Sequence, residues 1–187
     1  MVQLRRWLSQ AVAAGLDEPN AMVVATADAS GAPSARTVLL KGLDDRGLTF
    51  YTNLDSRKGR ELAANPRAAV AFPWHALQRQ VLVRGPVERL PAAAADAYFA
   101  SRPRGSRLGA WASPQSTVLA DRAQLDAAVT AVTERFAGAD VPRPPHWGGF
   151  LVVPSEVEFW QGRPNRLHDR LRYRRADRRW IVERLAP

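Results

Sequence analysis

The chain has 187 residues, of which 46% are hydrophobic and 24% charged, with no cysteine and a formal net charge of +9. That length fits a single domain, and the absence of cysteine excludes disulfides and thiolate metal sites, so no metal centre is expected. Apolar runs are broken within about ten residues, short of the ~20 a bilayer requires. The opening Met1-Val2-Gln3-Leu4-Arg5-Arg6-Trp7 lacks a secretory apolar core, so a soluble cytoplasmic protein is expected.

The basic excess is almost entirely arginine; only Lys41 and Lys58 are lysine. With abundant Ala and Pro, this reads as a GC-rich coding bias rather than as nucleic-acid binding. The aromatic residues are not interleaved with a basic stripe, as a nucleic-acid binder prefers. The two surviving lysines then mark positions where a compact ammonium does what a planar guanidinium cannot.

In chain order, Leu4, Trp7, Leu8, Ala11, Val12 and Leu16 recur at helical spacing, predicting a helix over about residues 3–16 that Pro19-Asn20 ends. Strands are predicted over Ala21 to Ala27, Ser34 to Leu43 and Leu48 to Thr52, joined by turns at Asp28-Ala29-Ser30-Gly31 and Asp44-Asp45-Arg46-Gly47. Ser56 is placed to cap a short helix that Asn65-Pro66 stops. Arg67 to Trp74 and Arg79 to Arg89 read as strands, and Pro91 to Arg102 as a helix ended by Pro103. A short helix from about Ser106 and a longer one from Asp121 to Phe136 follow. Gly149 to Trp160, Leu171 to Arg174 and Arg179 to Glu183 complete the chain as strands. The expected class is α+β: an antiparallel barrel with helices at its periphery, forming one domain whose barrel occupies about residues 21–187.

Four constellations carry chemistry. Tyr98 and Arg102 are four apart on one helix face, and Ser106 lies near the next helix's start, where unpaired N–H groups favour a phosphate monoester. In an extended Arg166-Leu167-His168-Asp169-Arg170, the alternate residues Arg166, His168 and Arg170 would share a face, which calls for an anion. His75 and His146, beside tryptophans, read as structural. Arg36 to Lys41, with Tyr51, Thr52, Arg57 and Lys58, suits a second phosphate. Because Arg36 and Lys41 point to opposite faces of a regular strand, one site needs a bulge or two subunits. Gln80, Gln115, Ser116 and Trp160 supply amides and a flat face for a heteroaromatic ring, whereas Trp74, Trp111, Trp147 and Trp180 read as core. No Walker A sequence or G-x-G-x-x-G is present. The residues thus ask for a flat phosphorylated cofactor and a smaller phosphorylated substrate.

These strings resemble the pyridoxine/pyridoxamine 5'-phosphate oxidases. The resemblance is carried by Arg36-x-Val38-Leu39-Leu40-Lys41, Phe50-Tyr51-Thr52-Asn53, Ser56-Arg57-Lys58, Arg79-Gln80-Val81 and Ser101-Arg102-Pro103-Arg104. It continues through Gly109-Ala110-Trp111-Ala112-Ser113, Gln115-Ser116, Trp147-Gly148-Gly149, Glu158-Phe159-Trp160-Gln161-Gly162, Arg166-Leu167-His168-Asp169-Arg170 and Arg184-Leu185-Ala186-Pro187. It implies a split β-barrel homodimer with FMN at the subunit interface. It also implies oxidation of pyridoxamine or pyridoxine 5'-phosphate to pyridoxal 5'-phosphate, by hydride transfer to the flavin, with dioxygen reduced to hydrogen peroxide.

By position, FMN contacts are expected from Arg36, Thr37, Val38, Leu39, Leu40, Lys41, Tyr51, Thr52, Arg57, Lys58, Gln80, Gln115, Ser116, Trp160 and Arg170. The substrate phosphate falls to Tyr98, Arg102 and Ser106 with Lys41 nearby, and Arg166 and His168 to the reacting carbon, as substrate-binding and catalytic residues. The family's Tyr-x-x-Gly-Gly-Leu arm has no counterpart in these residues, Arg107 replaces a usual glutamine, and Leu151 stands where an arginine or aromatic is common. Two alternatives are a flavin oxidase of the phenazine-biosynthesis type acting on another aromatic substrate, and a non-catalytic FMN-binding protein.

Overall fold

The computed structural model describes residues 1–177 and 179–187. The N-terminal helix α1 (Val2–Ala13) buries Leu4 and Ala11 and sets Trp7 edge-on to Phe159 at 5.2 Å. It stops before the predicted Leu16, because Gly15 takes φ +69° and its N–H bonds back to Val12 O. This left-handed cap ends the helix ahead of Pro19.

Strand β1 (Ala21–Ala27) alternates its exposure, turning Met22, Val24 and Thr26 inward. The predicted second strand is interrupted: β2 (Pro33–Leu39) stops before Leu40, whose side chain is buried in the core, and pairing resumes in β3 (Gly42–Leu43). The Leu40 N–H bonds to Asn20 O and the Lys41 N–H to Thr49 O, so the chain changes partner strand between them. β4 (Leu48–Asn53) leads into α2 (Arg57–Ala64), which Ser56 caps as expected by accepting from the Gly59 N–H.

β5 (Arg67–Trp74) and β6 (Arg79–Arg89) match the predicted strands at both ends. Helices α3 (Ala92–Ala100), α4 (Arg104–Ala112) and α5 (Arg122–Arg135) follow. α4 begins two residues before Ser106, so Ser106 lies within its first turn. The predicted Gly149 to Trp160 strand is two strands, β7 (Trp147–Val152) and β8 (Glu156–Gln161); β9 (Asp169–Ala176) and β10 (Arg179–Arg184) end the chain.

The strands form one antiparallel sheet that curls on itself. Along one path the order is β10-β9-β8-β6-β5-β1-β2, while β7 joins β6 to β4. β6 makes the split: Arg79 to Arg84 pair with β8, and Val87 to Arg89 pair with β7. Val24, Phe50, Val70, Phe72, Val81, Val83 and Val152 fill the interior thus enclosed. Each such side chain contributes on the order of 1.5–3 kcal/mol by leaving water. Trp74 belongs to this core, but Trp180 does not: it lies on β10 and is 43% exposed. No helix among the described residues is long and apolar enough to cross a membrane.

Candidate functional site

A cavity of about 1130 Å³ opens between β2, β4 and the helices α2, α3 and α4. Fourteen of the sequence-predicted residues line it: Arg36, Thr37, Val38, Leu39, Lys41, Tyr51, Thr52, Arg57, Lys58, Tyr98, Arg102 and Ser106, with the pair Gln115-Ser116 completing the wall. The break after β2 is what brings Lys41 to the same side as Arg36, which a regular strand forbids. Leu40 is 6% exposed and faces the core, so its side chain is not part of the wall.

At one end Lys58 is buried, and its ammonium donates to Gln115 Oε1 at 2.8 Å, Thr52 Oγ1 at 3.1 Å and Ser56 Oγ at 3.2 Å. It makes no ion pair among the described residues. Burial, with some repulsion from Arg36, pulls its pKa down to about 8 against the pull of Glu61. Arg57 and Lys58 open α2, where the helix's own partial positive charge makes cations unfavourable unless an anion is bound. Glu61 partly answers this: it accepts from Arg57 Nε at 2.8 Å, Ser34 Oγ at 2.6 Å and Arg36 Nη2 at 3.3 Å, and also from Thr26 Oγ1. Burial acts to raise its pKa, but these hydrogen bonds outweigh burial and hold it at about 2.

At the other end stands Arg102, whose guanidinium lies 4.9 Å from the Trp147 ring centre and 5.3 Å from that of Phe99. Its Nη1 is buried without a hydrogen-bond partner among the described residues, and burial lowers its pKa. A buried, unmatched donor on a charged group is costly, and an anion at this end could satisfy it. Ser106 adds a hydroxyl from the first turn of α4, and Lys41 Nζ sits 6.0 Å from the Tyr98 ring centre. Between the two ends Tyr51, Tyr98 and Trp147 stack, with Tyr51 4.1 Å from Tyr98 and 5.4 Å from Trp147. Trp147, read from the sequence as core, is thus part of the cavity wall.

The remaining expected residues lie elsewhere on this chain. Gln80, Trp160 and His168 line a separate cavity of about 370 Å³ with His75, Gln78, Arg79, Gly162 and Arg163. Gln80 and Trp160 face each other across the β6–β8 ladder, and Trp160 lies 4.6 Å from His168. Arg166 and Arg170 line neither cavity.

The extended face predicted for Arg166, His168 and Arg170 does not form. Pro164 to Arg166 make a 3₁₀ turn, with Asn165 at φ 58° and Arg166 at φ 61°. Arg170 on β9 has its own anion instead, Glu158, bonded at 2.7 and 3.1 Å. His168 Nδ1 accepts from the Arg163 N–H at 3.1 Å. Consecutive left-handed residues other than glycine are strained and concentrate at functional sites; Ser116, at φ 71° on the main cavity wall, is another.

Two features escaped the sequence reading. Glu61 was legible as the i+4 partner of Arg57 on α2, but its links to Thr26 and Ser34 needed the fold. Arg107 turns away from the cavity to Asp140, at 2.6 Å.

Residues 8–136 match the model of a family described as pyridoxamine 5'-phosphate oxidase. The chain belongs to that family. Residues 147–187 match a second model, described as the pyridoxine 5'-phosphate oxidase C-terminal dimerisation region, and Trp160, Arg166, His168 and Arg170 all fall within it. Among relatives of this oxidase family member, the pyridoxine/pyridoxamine 5'-phosphate oxidase of Salinispora arenicola (strain CNS-205) is 62% identical, covering 99% of this chain and 85% of its own. That of Salinibacter ruber (strain DSM 13855 / M31) is 59% identical, with coverage of 99% and 87%. Among solved structures, PhzG from Burkholderia lata 383, crystallised with tetrahydrophenazine-1-carboxylic acid, superposes with a TM-score of 0.94. It is 35% identical, covering 100% of this chain and 91% of its own. A pyridoxamine 5'-phosphate oxidase-related, FMN binding protein from Nostoc punctiforme PCC 73102 shares the fold, with a TM-score of 0.76, 18% identity and coverage of 98% and 97%.

Proposed function

We propose that the protein is a homodimeric FMN enzyme that oxidises pyridoxamine or pyridoxine 5'-phosphate to pyridoxal 5'-phosphate. The observation that carries this is one cavity holding two separate cation groups, Arg36/Arg57/Lys58 and Lys41/Arg102. Among the described residues Lys58 and Arg102 have no carboxylate partner, and the buried Arg102 Nη1 has no hydrogen-bond partner. Two phosphate monoesters match two such groups, and a volume of about 1130 Å³ exceeds what one small ligand needs.

The residues fit FMN. Arg57, Lys58 and Arg36 would hold its phosphate and Thr52 and the Gln115-Ser116 pair its polar edge, while Gln80 and Trp160, which line the separate cavity, would reach its ring from a second copy of the chain. Bound FMN supplies the redox chemistry, taking two electrons from the substrate and returning them to dioxygen as hydrogen peroxide. Arg102, Tyr98, Ser106 and Lys41 anchor the substrate phosphate and so fix the ring's position, an orientation effect that can contribute several kcal/mol. Arg166 and His168, which the monomer holds away from this cavity, come to it from a second copy of the chain. Arg166 then stabilises charge developing at the reacting carbon, and His168 orients the substrate's polar groups.

Purified protein should be yellow and release FMN on denaturation; a colourless protein that takes up no flavin defeats this reading. The close superposition on PhzG favours a second reading, oxidation of a non-phosphorylated tricyclic acid. The four converging donors Lys41, Tyr98, Arg102 and Ser106 oppose it, since a single carboxylate offers fewer acceptor oxygens to that set than a phosphate does. Turnover of tetrahydrophenazine-1-carboxylic acid but not of pyridoxamine 5'-phosphate would decide for PhzG-like activity.

A further inference from the structure

Glu61 contacts the cavity's cations without lining the cavity, and the function proposed above leaves it without a role. It is 5% exposed, and a carboxylate that deep has to be matched donor by donor to remain ionised. Arg57 Nε takes Oε1; Ser34, Arg36 Nη2 and Thr26 share Oε2. Arg36 is held further by Thr26 Oγ1 at 2.5 Å and Val24 O at 3.3 Å. Among the described residues Arg57 bonds only through its Nε, to Glu61, which leaves both Nη nitrogens for a ligand. With Lys58, the group sums to three cations and one carboxylate. The two positive charges left over match a phosphate monoester dianion.

We propose that Glu61 is a positioning residue of the flavin-phosphate subsite, holding Arg36 and Arg57 so that the site prefers a phosphorylated flavin to the same ring system without phosphate. This rests on the FMN reading. Two effects of removing the carboxylate oppose each other. The added net positive charge alone would tighten any anion, whereas two arginine forks released from fixed geometry bind it less well. The proposal requires the second to dominate.

The test titrates apoprotein with FMN and with riboflavin, following quenching of flavin fluorescence, for wild type, Glu61→Gln and Thr26→Val. Glu61→Gln should weaken FMN about tenfold or more while leaving riboflavin within about twofold, the scale expected for charge-assisted hydrogen bonds. Equal losses for both flavins would make Glu61 a merely structural residue, and unchanged or tighter FMN binding would leave charge dominant; either overturns the proposal. If Glu61→Gln does not fold, Thr26→Val carries the test. Thr26 is buried and outside the cavity wall, and its loss should weaken FMN alone, by about threefold. An unchanged FMN-to-riboflavin ratio in Thr26→Val overturns the proposal, whereas wild type binding neither flavin removes the FMN reading together with it.

Discussion

Tyr51 on β4 and Tyr98 on α3 lie face to face, their ring centres 4.1 Å apart and their planes 17° from parallel. This contact joins the two ends of the cavity, since Tyr51 belongs to the wall shared with Thr52 and Lys58 and Tyr98 to that shared with Arg102. The stack exists because Gly149 faces Tyr51 across the β4–β7 ladder. A Cβ at Gly149 would lie 2.7 Å from the Tyr51 ring.

Gly149→Ala should therefore push Tyr51 out of the stack. The expected outcome is a loss of about 1–3 kcal/mol in stability by denaturant unfolding, typical of overpacking, together with weaker substrate binding. A variant with wild-type stability and substrate affinity would show that the stack is dispensable.

Arg102→Ala should weaken pyridoxine 5'-phosphate binding by about 1.5–3 kcal/mol, the range for a charged hydrogen bond, with FMN affinity changed less than about twofold. Calorimetric titration of holoenzyme with substrate, and of apoprotein with FMN, separates the two. An equal loss of both would mean that the phosphates are assigned to the wrong ends.

The barrel was largely legible from hydrophobic alternation: β1, β5 and β6 match the predicted strands because Val, Ala and Phe at alternate positions face a single interior. The break at Leu40-Lys41 was not, because pattern alone does not reveal that Leu40 turns into the core as the chain changes partner strand. Tyr98, Arg102 and Ser106, read from helix spacing, do line one cavity, although α3 ends at Ala100 and Arg102 stands in the turn beyond it. Arg166, His168 and Arg170 do not share the expected face, because alternation presumes extended backbone and Asn165 and Arg166 adopt left-handed φ. Gly162 and Pro164-Asn165 are turn residues that could have signalled this break, whereas nothing in local spacing shows that Arg170 is matched by Glu158 from the neighbouring strand.

Lys58 gives the site a pH dependence with a defined sign. Its pKa in the apoprotein is lowered to about 8, and an anion binds the protonated form. FMN affinity should be constant below pH 8 and decline as pH rises above it, while riboflavin affinity stays flat. Its effect on folding has the opposite direction: burying the charged form costs stability below pH 8, and that cost is relieved as pH climbs toward the ordinary lysine range. FMN titrations between pH 7 and 10 check this; an affinity independent of pH would remove Lys58 from the phosphate subsite.

A site completed by two subunits predicts complementation. Arg102→Ala and Arg166→Ala homodimers should each be impaired, but a mixed dimer carries one site with both arginines intact. Co-expression and purification of the mixed species by two affinity tags should restore activity toward half of wild type. Activity no higher than the impaired parents would place both arginines in a site within one subunit.

The central claim, that this cavity sets a vitamin B6 phosphate against a bound flavin, is tested most directly by adding pyridoxamine 5'-phosphate to the FMN-loaded protein without oxygen. The account predicts that the flavin's visible absorbance bleaches and returns when air is admitted. Absorbance that stays unchanged in protein shown to hold FMN would contradict it.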